Sequence, residues 1–74
     1  MPLSFGDIQK RYVIRKIGGD EVVKKHLQDL GLTQGSIIQI IAKNAGSVIV
    51  RVKETRIALG FSMANKIMIE EENG

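Results

Sequence analysis

Few side chains in this sequence can do chemistry, and they gather in one stretch. His26 is the single histidine of 74 residues, and Asp29 follows three positions later. On a helix that spacing places both on one face, where an imidazole and a carboxylate can meet a divalent cation. Asp20 and Glu21 lie about one and a half turns earlier. A stable divalent-metal site needs three or four converging ligands, and this stretch offers two. His26 and Asp29 are therefore metal candidates short of a full set, and no metal or other cofactor is expected. Met63 and Met68 read as core or interface filler, not as soft-metal ligands. There is no cysteine, so disulfides and thiolate metal centres are excluded. Gly18-Gly19 before the helix could admit an anion to its N-terminus, but Asp20 and Glu21 would repel it. No Gly-x-Ser-x-Gly elbow and no phosphate-cradling glycine loop is present. An enzyme is not expected.

These residues are positioned by one short helix. Asp20 can cap its first turn, with Glu21 adding favourable charge there. Val23, Leu27 and Leu30 recur at helical spacing, Val22 widens the stripe, and Lys24, Lys25, Gln28 and Asp29 fall opposite. Gly31 suits a left-handed C-cap, with Leu32 packing back. Gly35 supplies a positive-φ corner after Thr33-Gln34. Strands surround the helix. Tyr12–Ile17 is rich in β-branched residues and ends at Gly18-Gly19. Ser36–Lys43 carries isoleucine on both faces, which predicts a central strand covered on each side. Asn44-Ala45-Gly46 is a hairpin loop. Ser47–Lys53 alternates, with Val48, Val50 and Val52 inward beside Ile38. Glu54-Thr55 turns the chain into Arg56–Leu59, where Ile57 and Leu59 point inward. Ser62 is expected to cap one helical turn through Lys66, and Ile67–Ile69 closes the chain. Before the first strand, Leu3–Ile8 is expected to lay Phe5 on the core.

The fold class is mainly β with one helix: a small SH3-like barrel of about five strands flanked by that helix. A chain this short makes one domain, residues 1–74, with 70–74 as a frayed acidic tail. The apolar fraction of 43% is that of a globular protein. No signal peptide and no membrane-spanning run is read. The formal charge is +3, but three of the eight acids are Glu70, Glu71 and Glu72, so the preceding residues hold eleven cations against five acids, a charge of +6. A basic body suits an acidic partner, a membrane surface or nucleic acid.

Two segments carry a resemblance. Gly18-Gly19-Asp20-Glu21, Leu27 and Asp29-Leu30-Gly31-Leu32-Thr33-x-Gly35 resemble the core motif of the FeoA domain, the ferrous iron transport protein A family. Val50-Arg51-Val52-x-x-x-Arg56-Ile57-Ala58-Leu59, then Met63-Ala64-x-x-Ile67, is similar to that family's second half. The likeness covers about residues 3–70. It departs from the family at Gln34, where many members have proline. It departs also at Glu54-Thr55, where many have glycine, and at Gly60-Phe61, where many have a charge. The resemblance implies an SH3-like barrel and a small cytoplasmic protein of prokaryotes in its free-standing form. It implies a regulatory module for ferrous iron uptake that binds the membrane transporter FeoB from the cytoplasmic side, with the GTPase domain of FeoB as one possible contact. Membrane contact would come only through that partner.

The residues themselves suggest where binding would occur. The expected surface is a cleft between helix and barrel lined by Leu27, Leu30, Leu32 and Met63, with Lys24 and Lys25 at its rim. If those leucines are core instead, charged substitutions will unfold the chain. Surplus Ile37, Ile41 and Ile49 leave a homo-oligomer open. The alternative function is a small basic barrel that binds nucleic acid. That reading wants aromatic stacking platforms. The chain has only Phe5, Tyr12 and Phe61, so nucleic acid is not the expected partner.

Overall fold

The computed structural model describes residues 1–72. A 3-10 turn at Leu3–Phe5 precedes β1 (Arg11–Ile17) and α1 (Glu21–Asp29). Three strands follow, β2 (Ile37–Asn44), β3 (Ser47–Val52) and β4 (Thr55–Gly60). The short α2 (Phe61–Ala64) then leads into β5 (Ile67–Glu71). The strands form one antiparallel sheet in the order β4-β3-β2-β1-β5. This is the five-stranded SH3-like arrangement expected, but the sheet is open, since β4 and β5 do not pair. The free edge of β5 is occupied by the N-terminal residues. The Met1 ammonium donates to the Ile69 carbonyl at 3.0 Å, the Ile69 N–H donates back to the Met1 carbonyl at 2.7 Å, and Pro2 bridges Met68. Bulges between Ile14 and Lys16 in β1, and between Ile40 and Ala42 in β2, bend the sheet around its core.

Each local signal has a physical counterpart. The Asp20 carboxylate accepts from the Val23 N–H at 2.9 Å and caps α1. At the other end the Leu32 N–H donates to the Leu27 carbonyl, and the Gly31 N–H to the Gln28 carbonyl, both at 2.9 Å. That pair of bonds is the Schellman motif, and Gly31 at φ +93° is its left-handed residue. Gly35 at φ +91° then turns the chain, with the Ser36 N–H donating to the Thr33 carbonyl at 3.0 Å. This turn is locked to β1, because the Gly35 N–H donates to the Ile14 carbonyl and the Ile14 N–H to the Ser36 carbonyl.

The core sits on the inner face of the sheet. It takes Tyr12 and Ile14 from β1, Ile38 and Ile40 from β2, and Val48, Val50 and Val52 from β3. Ile57 and Leu59 come from β4, and Ile67 and Ile69 from β5. Leu3, Leu27, Leu32 and Ala64 complete it. Five expectations need correction. Phe5 is exposed and Leu3 is the residue buried before β1, because the 3-10 turn points Leu3 inward. Val22 is exposed, so the buried stripe of α1 narrows to Leu27 with Val23 and Leu30 half-buried. Ser62 does not cap α2, which begins two residues earlier than expected, at Phe61 after Gly60. The acids at 70–72 are not frayed: Glu70 and Glu71 belong to β5, and Glu70, Glu71 and Glu72 pair with Arg15, Lys10 and Arg11. Residues 73–74 lie outside the described residues. β2 is central in the sheet, but its outer face is not covered, since Ile37 is exposed.

Candidate functional site

The residues expected to line a cleft do not share one surface. Leu27 and Leu32 have no exposed area and belong to the core. Leu30 and Met63 are half-buried against that core. Met63 rides on α2, which packs against β3, β4 and the 3-10 turn, outside the cleft beside α1. Lys24 and Lys25 are exposed on α1. His26 and Asp29 are exposed too, and among the described residues no three His, Asp or Glu side chains come together as a metal-binding group.

A cleft does lie between α1 and β1, with a volume of about 470 Å³. Its walls are Lys24 and Gln28 from α1, Arg15, Lys16 and Ile17 from β1, and Thr33 and Gln34 from the turn, with Leu32 at its base. The Schellman motif and the Gly35 turn build it, because together they fold Leu32 beneath α1 and hold Gln34 over β1. Its cations differ in their freedom. Arg15 is tied to Glu70 at 2.9 Å, and Lys24 lies 4.0 Å from Glu21. Lys16 has no carboxylate partner among the described residues.

A second groove, of about 480 Å³, opens on the outer face of the sheet. It is bordered by Arg11, Ile37, Gln39, Arg51 and Lys53. The strand registers place Arg11 opposite Gln39, Gln39 opposite Arg51, and Arg51 opposite Arg56. The sequence reading missed this row because it put the last hairpin turn at Glu54-Thr55. The loop is Lys53-Glu54, with Val52 paired to Thr55. Lys53 takes φ +55°, a conformation that glycine would adopt without strain.

Lys10 and Glu71 mark the end of the sheet where β1 meets β5. The Lys10 ammonium donates to the Glu71 carboxylate at 2.7 Å. That hydrogen bond, and then the lysine charge, holds the Glu71 carboxyl below the usual carboxylate range. The same bond and the Glu71 charge raise Lys10. Tyr12, one of three aromatics, is fully buried and its hydroxyl accepts from the Asp7 N–H at 2.8 Å. It is thus removed from any stacking surface.

A protein of Methanocaldococcus jannaschii, described provisionally as Fe(2+) transport protein A, is 31% identical over 70 residues, which is 95% of this chain and 85% of that one. The crystal structure of an iron uptake regulatory protein, FeoA, superposes with a TM-score of 0.87 at 28% identity, covering 97% of this chain and 96% of that one. A manganese-dependent transcriptional repressor shares the fold, with a TM-score of 0.89 at 17% identity; 97% of this chain matches 41% of the repressor. FeoA domains and their SH3-like structural neighbours are accessory or regulatory modules without enzymatic activity, and this chain carries the same fold. The FeoA domain itself matches residues 1–71, and the chain belongs to the FeoA domain family.

Proposed function

We propose that this chain is an accessory module of ferrous iron uptake that acts in the cytoplasm by binding the transporter FeoB. The match of the FeoA domain to residues 1–71 carries this reading. The iron-transport description of the M. jannaschii relative and the regulatory one of the FeoA crystal structure agree with it. The iron passes through the transporter, and this chain regulates without holding the ion. The contact surface is the cleft between α1 and β1. Lys24, with Lys25 beside it, supplies charge at the rim, and Ile17 supplies apolar surface, while Leu30 lies outside the cleft walls. Leu27 and Leu32 support that surface from within. Met63 belongs to a separate patch on α2 that borders exposed Phe61.

A binding titration tests the reading. The labelled chain is titrated against full-length FeoB and, separately, its soluble GTPase domain, with and without nucleotide, at low and moderate salt. Saturable binding that survives moderate salt is expected, and Lys24→Glu should weaken it without lowering the melting temperature. Failure of the folded chain to bind either form would refute FeoB as the partner.

A further inference from the structure

The outer face of the sheet carries a feature that stability alone does not favour. Arg51 and Arg56 stand directly opposite each other on β3 and β4, and like charges in that position destabilise a strand pair. The row continues through Gln39 to Arg11. Arg11 is balanced by Glu72 at 3.3 Å. Arg51 and Arg56 have no carboxylate partner among the described residues. Beside the row, Ile37 is 36% exposed, and Lys53 borders the same groove in its left-handed conformation. Arg51, Gln39 and the exposed Ile37 therefore line a single groove, and the second unbalanced guanidinium, Arg56, stands beside it across the strand pair.

We propose that this face docks an acidic, extended segment of a partner protein, in which carboxylates alternate with aliphatic side chains. The guanidinium fork matches a carboxylate through two parallel hydrogen bonds, and Gln39 can donate beside it. Ile37 gives the aliphatic side chain a contact. The spacing fits: adjacent strands lie ~4.8 Å apart, so the three steps from Arg56 to Arg11 span ~14 Å, or about four extended residues. Nucleic acid fits less well. The row holds no aromatic side chain on which a base could stack. This inference does not rest on FeoB being the partner, because the occupant is defined by charge and shape alone.

The test uses the full chain, isotopically labelled, and follows backbone amide resonances. Three probes are titrated at low salt: a short synthetic peptide of alternating aspartate and leucine, its asparagine counterpart, and a short oligothymidylate. The acidic peptide should give saturable shifts at Ile37, Gln39, Arg51 and Arg56, and the asparagine peptide should give none there. The double variant R51Q/R56Q should bind roughly tenfold more weakly or worse, while its melting temperature stays level or rises as the repulsion is removed. The milder R51K/R56K keeps the charge and loses the fork, and should weaken binding by a smaller factor. Shifts elsewhere on the chain, equal response to the asparagine peptide, or unaltered affinity in both variants would overturn the proposal. Tighter binding of oligothymidylate than of the acidic peptide would overturn it as well.

Discussion

Leu27→Ala is the substitution that best separates core from contact surface. Leu27 is the one fully buried residue of α1 and has no accessible area. Truncating such a leucine removes its transfer free energy and leaves a cavity, at a cost of about 3 kcal/mol, with values near 5 where neighbours cannot relax. The sheet, pinned by its ladders, gives little room to collapse. A chain of 74 residues has a total stability of roughly 4–11 kcal/mol. Its unfolding entropy near the midpoint is about 0.16 kcal/mol/K, so a loss of about 3 kcal/mol lowers the melting temperature by roughly 20 °C. Circular dichroism melts with a parallel urea titration read this directly, and the urea midpoint should fall with little change in slope. Lys24→Glu, on the exposed side of the same helix, should stay within about 0.5 kcal/mol of the parent. A Leu27→Ala protein that melts within about 5 °C of the parent, yet no longer binds its partner, would refute the core assignment. Leu27 would then be a contact residue.

Two further outcomes follow from particular bonds. Gly31→Ala places a Cβ on a residue at φ +93°, where an L-residue is strained by roughly 1–2 kcal/mol; the melting temperature should fall, and an unchanged value would mean that α1 does not end in the Schellman motif. Glu71 should titrate below the usual carboxylate range by carbon-detected NMR and return to it in Lys10→Gln, since the lysine hydrogen bond is the larger cause of the shift. The depressed Glu71 contributes stability above the ordinary carboxylate range that is lost as pH falls through its lowered value. The raised Lys10 contributes stability below the ordinary lysine range that is lost as pH rises through its raised one. Both side chains are solvent-exposed, so the effect on melting is small while the resonance shift is clear.

The elements most legible from sequence are those whose signals are local. Asp20, Gly31 and Gly35 each act within a few residues, and each occupies the role its type predicts. The alternation of Val48, Val50 and Val52 fixes the inner face of β3, because a one-residue slip would turn all three outward. What could not be read depends on distant partners. Phe5 is larger than Leu3 and looked the better core residue, yet the choice between them is made by the 3-10 turn and by the pairing of Met1 and Pro2 with β5. Glu70, Glu71 and Glu72 looked like a solvated tail, because the lysine and arginines that order them lie 55 or more residues away in sequence. Leu32 looked available because it follows the helix, and only the locking of the Gly35 turn to β1 puts it in the core. The row from Arg11 to Arg56 required three strand registers, and a one-residue error in the last hairpin was enough to hide it.

The pairing of Met1 and Pro2 with β5 has a consequence for how the domain folds. Met1 and Ile69 exchange hydrogen bonds across a separation of 68 residues, and β1 has β5 as one of its two neighbours. During folding β1 is complete only once the distant β5 docks beside it. Until then its edge is unpaired, with Tyr12 and Ile14 lacking their cover from Ile67 and Ile69, and such an edge is a template for association with other chains. Native structure is therefore completed by a contact between segments far apart in sequence, at a rate set by closing that long loop. A truncation before Ile67 would do more than shorten the protein. It would hold every copy in the state that the complete chain passes through only briefly.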